Sequence, residues 1–248
     1  MMAETGGPVL RHDQAGAATL TLNRPDKRNA LDLETFIALD EALAGLEQAI
    51  DTIGIVILRA AGPVFSAGAD LDKQPRPPRP NFQAKTITRL ARLPQPVIAA
   101  VHGACYTGGL ELALAADIII AAESARFADT HGKWALVPGW GMSQRLPRRV
   151  GPSKAREMMF TGQSYDGRAA ERMGLANICV EDAEFEATLA AWTAMILGQS
   201  WHSNRGNKRL LLETDGMSLD SGLAHEVYGS PGIGPDFAER VKAGFAKR

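Results

Sequence analysis

The chain has 248 residues, 45% of them hydrophobic, with 27 basic against 28 acidic side chains and a formal net charge of −1. That length supports one large core, with or without a small appendage. The balanced, interspersed charge speaks against a nucleic-acid surface or a membrane-binding face, and no apolar run reaches the roughly 20 residues that a bilayer span needs.

Met1–Gly7 offers neither a basic n-region nor an apolar h-region, so no signal peptide is expected. Ala17–Asn23 alternates apolar with polar residues and predicts a strand. Asp32 is placed to cap a helix running to about Ile50, with Leu33, Phe36, Ile37, Leu43, Leu46 and Ile50 on its apolar face. Ile53–Leu58 predicts a strand buried on both sides, as parallel sheets require. Gln74–Pro80 holds four prolines and two arginines and predicts an extended, mobile connection. A helix over Phe82–Arg92, a strand over Val97–Val101, a helix over Gly108–Ala115 and a strand over Asp117–Ala121 follow. From Ser143 onward the pattern is helical apart from a short strand near Asn177–Val180. The two cysteines, Cys105 and Cys179, are far apart without metal-ligand spacing, which predicts reduced thiols in a cytoplasmic protein. Cys105 near His102 hints at a thiol nucleophile, but both lie at a strand end, where core packing is the better reading.

Two glycine-centred segments carry the chemistry. Phe65–Leu71 (FSAGADL) and Gly108–Ala113 (GGLELA) each follow a buried apolar run, expose backbone N–H groups among small residues and open toward a helix. Two such loops facing each other can hold a carbonyl oxygen and stabilise it as it becomes anionic. Glu111 follows the second loop and would set a carboxylate beside that carbonyl. The bland alternative is a surface acid favoured by the helix dipole.

These segments, with Asn23–Leu31 (NRPDKRNAL), His102–Gly103, Asp117–Ala121, Phe127, Pro138–Pro147 (PGWGMSQRLP) and Phe237–Phe245 (FAERVKAGF), resemble the crotonase (enoyl-CoA hydratase/isomerase) family over nearly the whole chain. The resemblance implies an α/β fold: a crotonase-like spiral of ββα turns over residues 1–190 and a helical C-terminal trimerisation region over 191–248. It further implies an acyl-CoA substrate, no metal and no cofactor beyond the CoA of the substrate. By position, the N–H groups of Ala69 and Gly108 would form an oxyanion hole. Lys27, Arg28, Ala30, Ala67, Asp70 and Leu71 would line the CoA path, and Arg240 and Phe245 would reach a neighbouring subunit's site.

The sequence departs from the family where it matters for mechanism. Family hydratases use two glutamates; the first corresponds to Glu111, but the second position, twenty residues on, is His131. Histidine exchanges protons near neutral pH, so two-residue acid–base chemistry survives the change. Asp129 is placed either to orient His131 or to act as the second carboxylate itself. Thr107 stands where the family often has glycine and is expected to narrow the pocket. Reversible hydration of a 2-enoyl-CoA is the leading expectation, with isomerisation by Glu111 alone or acyl-CoA binding without efficient chemistry as alternatives. Trp134 and Trp140 either bound an acyl pocket or pack the helical region. Apolar positions Leu189, Trp192, Ile196, Leu210 and Leu211, with little sheet to cover, predict a trimer or a dimer of trimers.

Overall fold

The computed structural model describes residues 6–72 and 75–246. Met1–Thr5, most of the stretch read for a signal peptide, and Gln74, which opens the proline-rich connection, lie outside the described residues.

Strands β1 (Val9–Gln14), β2 (Ala17–Leu22), β3 (Ile55–Ala60), β4 (Val97–Val101), β6 (Ile118–Ala122) and β9 (Ile178–Val180) lie side by side in that order. Strands β5 (Ala104–Tyr106), β7 (Arg126–Ala128) and β8 (Tyr165–Asp166) form a second, three-stranded sheet. Every neighbouring pair of the large sheet is parallel except β1 with β2. Because β3, β4 and β6 are covered on both faces, their sequences read as near-continuous runs of isoleucine, valine, leucine and alanine, broken only by the half-buried Arg59 near the end of β3. Val56, Leu58, Ala99 and Ile119 face the main core, whereas Ile55, Ile57, Ile98 and Ile120 face a second cluster behind the sheet.

The chain winds in ββα turns, each laying a strand in the large sheet, a short segment in the small one, and then a helix. β4, β5 and α3 (Gly108–Ala113) make one such turn. β3 leads into the preceding turn, where Ser66 bridges in parallel to Cys105 of β5 before α2 (Phe82–Ala91). Helix α1 (Leu33–Gln48) starts as the sequence predicts, with the Asp32 side chain accepting the Thr35 N–H at 2.8 Å. Its buried face is Thr35, Phe36, Leu39, Leu43 and Leu46, and each large apolar side chain fully buried there contributes about 1.5–3 kcal/mol. Ile37, expected on that face, is one residue round the helix from Phe36 and is exposed. The described end of the proline-rich connection is anchored, because Arg79 pairs with Asp40 at 2.8 Å and lies over the Phe82 ring at 4.8 Å.

The C-terminal part comprises α4 (Met142–Thr161), broken at Gly151 beside Pro152, then α5 (Gly167–Arg172), α6 (Phe185–Leu197), α7 (Trp201–Thr214), α8 (Leu219–Gly229) and α9 (Phe237–Ala246). Here the expectation of little sheet to cover is corrected. Phe185 and Leu189 of α6 are buried against the isoleucines behind the large sheet, with Trp192 and Ile196 packed beside them. The predicted 190/191 division thus falls inside a helix that covers the sheet. Lys208 of α7 is buried and reaches Asp117 at 2.7 Å and the Gln95 carbonyl at 2.9 Å, which ties the helical region to the strands. Farther on, Leu211, Leu219, Val227, Tyr228, Ile233 and Phe245 are exposed. No helix among the described residues is long and apolar enough to cross a membrane.

Candidate active site

The two glycine-centred loops meet because the sheets force them together. Phe65 donates to the His102 carbonyl, Ser66 to that of Ala104, and Tyr106 to that of Ser66, so the first loop leaves the small sheet beside the second. Gly68 then takes a φ of 107°, a value that side-chain-bearing residues rarely adopt. A Cβ placed on Gly68 would stand 3.5 Å from the Gly108 nitrogen, and one on Gly108 would stand 3.2 Å from the Ala69 nitrogen. The two N–H groups are therefore neighbours. Among the described residues neither donates to another protein group, although the adjacent N–H groups of Ala67, Gly68 and Asp70 are all used.

Asn29 holds the first loop in place, a role that sequence reasoning missed although the residue lies within the NRPDKRNAL motif. Its buried side chain donates to the carbonyls of Ala61 and Val64 and accepts the Arg24 N–H, each at 2.8 Å. Its own carbonyl accepts from the Ser66 hydroxyl at 2.8 Å, and that hydroxyl accepts the Gly68 N–H at 3.2 Å. On the other side, Thr107 sits at φ 50°, ψ −109°, a strained setting for a β-branched residue. Its hydroxyl is turned toward Thr130, 2.6 Å from that residue's hydroxyl, and accepts the Thr130 N–H at 3.1 Å.

Glu111 is 1% exposed, which rules out the surface-acid reading. Its Oε1 accepts the backbone N–H groups of Trp140 at 2.9 Å and Met142 at 3.0 Å. Those donors come from the PGWGM turn, where Gly141 at φ 121° brings both N–H groups to one oxygen. The other oxygen, Oε2, lies 3.7 Å from His131 Nε2. The far side of the imidazole is held by Asp129, whose Oδ1 is 2.6 Å from Nδ1 and accepts the His131 backbone N–H at 3.0 Å. Asp129, too, is buried. The first of the two roles left open for Asp129, orienting His131, is thus the one its position fits.

The electrostatics follow from this burial. Loss of water pushes the Glu111 carboxyl up, opposed by the Met142 and Trp140 N–H groups and by His131, and helped by Asp129, so the net direction is upward. Burial pulls His131 down, but the hydrogen bond and charge of Asp129, with the charge of Glu111, outweigh it and raise the imidazolium above its ordinary value. Arg145 on α4 feels the Glu111 charge and donates to the Trp140 carbonyl at 2.8 Å; burial lowers its guanidinium. The Trp140 ring packs edge-on to Phe36 at 4.9 Å between centroids and occupies the space that a Cβ on Gly108 would need.

The remaining predicted residues sit farther out. Lys27 borders a cavity of about 310 Å³ together with Arg24, Asp32, Asp70, Asp72 and Pro75. Within it Asp70 pairs with Arg24 at 3.2 Å. Arg28 is exposed, and its carbonyl accepts the Ala67 N–H at 3.0 Å. The Ala30 carbonyl accepts from Arg24, and Leu71 is half-exposed. Arg240 pairs with Asp236 and donates to the Gly198 carbonyl, whereas Phe245 faces outward, so within one chain neither is brought to Glu111. Cys105 is fully buried in the core and His102 reaches the Gly62 carbonyl at 2.8 Å, which leaves no thiol–imidazole pair. No group of three or more metal-ligating side chains among the described residues is arranged to hold an ion.

The sequence profile of the enoyl-CoA hydratase/isomerase family matches residues 12–226. The 1,2-epoxyphenylacetyl-CoA isomerase of Escherichia coli (strain K12) is 32% identical, over 97% of this chain and 96% of its own. The crystal structure of enoyl-CoA hydratase from Bacillus anthracis superposes with a TM-score of 0.91 at 30% identity, covering 97% of both chains. A Thermobifida fusca YX structure in complex with acetoacetyl-CoA superposes at 0.82 with 28% identity, over 90% of this chain and 92% of the other. With the ββα spiral, the paired glycine loops and the buried glutamate in place, the chain belongs to the enoyl-CoA hydratase/isomerase family of the crotonase superfamily.

Proposed function

We propose that this protein catalyses reversible hydration of a 2-enoyl-CoA. The observation that carries the reading is the pairing of Glu111 Oε2 with His131 Nε2 at 3.7 Å, beside two neighbouring N–H groups that donate to no protein group among the described residues. Ala69 and Gly108 would receive the thioester oxygen, whose negative charge grows as water adds at Cβ; each donor in such a hole is typically worth about 2.7–4 kcal/mol. Glu111, ionised, takes a proton from water as the new O–Cβ bond forms. His131, protonated, gives its Nε2 proton to Cα of the enolate. Proton return from Glu111 to His131 resets the pair, so atoms and charge balance over one turnover. The working form is a carboxylate facing an imidazolium, and activity should rise as Glu111 ionises and fall as His131 loses its proton.

Lys27, Arg28, Ala30, Ala67, Asp70 and Leu71 are the proposed CoA contacts of one subunit, and Arg240 and Phe245 those contributed by a neighbour within a trimer or a dimer of trimers. The relationship to an epoxyphenylacetyl-CoA isomerase supports a second reading, isomerisation, in which Glu111 alone carries a proton across the unsaturated acyl group.

Crotonyl-CoA turnover by the wild type, Glu111→Gln and His131→Gln separates these readings. Hydration requires kcat to fall by several orders of magnitude in Glu111→Gln, with acyl-CoA binding kept, and a comparable loss in His131→Gln. A silent His131→Gln together with shifted double bonds in the product favours the isomerase. Tight binding of the ester with no turnover of any enoyl-CoA by the wild type refutes both.

A further inference from the structure

We propose that Asp129 is a positioning residue that locks the His131 ring with Nδ1–H bound to its carboxylate, so that Nε2 is the only nitrogen presented to Glu111 and to the substrate. The catalytic half of this proposal rests on the hydratase reading above; the locking itself does not.

The geometry is over-determined. One carboxylate oxygen accepts both the backbone N–H of His131 at 3.0 Å and, at 2.6 Å, the ring nitrogen, so main chain and side chain are registered on the same atom. Both residues are buried, and the loop is fixed from the opposite side by the Thr107–Thr130 hydroxyl pair at 2.6 Å. An acceptor-only carboxylate at Nδ1 requires a hydrogen there, which in the neutral ring leaves Nε2 as the acceptor. In the protonated ring the same contact turns Nε2–H toward Glu111.

The two-glutamate arrangement sets like charges near each other. Here the second group is a cation when protonated, and a buried cation needs a fixed counter-charge that is not consumed in the reaction. Asp129 fills that role: it lies behind the ring, away from Glu111, and touches neither the oxyanion-hole nitrogens nor the outer cavity. The charged groups around His131 are Asp129 from the end of β7 and Glu111 from α3. Arg145 on α4 acts on Glu111, and Lys133, on the same short turn as His131, is exposed and lies over Trp134. Removing the Asp129 charge should therefore lower the proton affinity of His131 and the upper pH limit of activity together.

Nitrogen-15 NMR of the wild-type imidazole tests the lock without any variant. Above its titration, His131 should show a protonated Nδ1 and a pyridine-like Nε2; the opposite tautomer would overturn the proposal. In Asp129→Asn, which keeps an acceptor oxygen of the same size, the His131 titration and the alkaline limb of kcat/KM should move down by the same amount. The variant's kcat should fall by roughly 10-fold or more with KM little changed; losing the carboxylate behind a metal-bound histidine costs about 10- to 100-fold, and behind the general-base histidine of a serine protease about 10⁴-fold. A merely structural role would lower kcat without moving the His131 titration, and that result would also overturn the proposal. Wild type that turns over no enoyl-CoA would sink the hydratase reading and the catalytic half with it, while the tautomer measurement would still decide the lock.

Discussion

Replacing Gly108 by alanine is the sharpest single test of the proposed oxyanion site. The glycine is not in the left-handed region, so the added methyl brings no backbone strain and its effect is steric. The methyl carbon would lie 2.5 Å from Trp140 Cζ3, 3.1 Å from Cε3 and 3.2 Å from the Ala69 nitrogen. Carbon atoms pack comfortably at about 3.5–4.0 Å, so the ring must retreat by about 1 Å or the α3 start must shift. Neither can move freely. The ring is packed on Phe36, and the Trp140 peptide N–H is one of the two donors on Glu111 Oε1. The methyl also comes within 3.2 Å of the Ala69 nitrogen, where it competes for the space proposed for the thioester oxygen. Loss of one donor alone costs about 2.7–4 kcal/mol, so kcat/KM should fall about 100- to 1000-fold, against an overpacking cost to stability of about 1–3 kcal/mol. Enone absorbance of crotonyl-CoA reports the rate, and circular dichroism with thermal melting reports the fold. A folded Gly108→Ala protein turning over within about threefold of wild type would refute the placement of the oxyanion hole.

Three further outcomes follow from the same geometry. Glu111 is raised by burial, so folding favours its protonated form and its contribution to stability is lost as pH climbs above the ordinary carboxylate range. Relative to wild type, the Tm of Glu111→Gln should therefore gain as pH rises above the ordinary carboxylate range, and a difference independent of pH would contradict the buried, desolvated carboxylate. Asn29→Ala strands two carbonyls and one N–H in the interior and puts alanine at φ 51°; urea denaturation should register a loss of about 3 kcal/mol or more, and a loss under about 1 kcal/mol would mean that water replaces the side chain. The exposed apolar residues of α7, α8 and α9 should close on copies of the chain, and light scattering at micromolar concentration should report a trimer or its multiple rather than a monomer.

What could be read from the sequence was what depends on short-range pattern. The doubly buried strands β3 and β4 announce themselves as near-continuous apolar runs, and Asp32 marks the start of α1 because capping is a three-residue event. β1 escaped notice because five of its six side chains are exposed and four are polar, and only pairing with β2 makes it a strand. β5 and β7 are three residues each, too short for any periodicity to show. Glu111 stood out through its glycine loop, but its clamp comes from Trp140 and Met142, 29 and 31 residues away, and no local signal carries that contact. The histidine was visible as a departure from the family pattern; that Asp129 would hold it, rather than replace it, required the side-chain geometry. The duty of α6 was misjudged because its evenly spread apolar residues do not say whether they meet the chain's own sheet or another subunit.

The distance between Glu111 Oε2 and His131 Nε2 also restricts stereochemistry. A flat, conjugated enoyl group lying between two atoms would need roughly 7 Å from one to the other, twice an ordinary van der Waals contact. At 3.7 Å the two cannot stand on opposite sides of such a plane. Both must therefore address the same face, so that on the proposed reaction the hydroxyl at Cβ and the new hydrogen at Cα arrive from one side. The handedness of the product is then set by which face of the acyl group the oxyanion hole turns toward the pair.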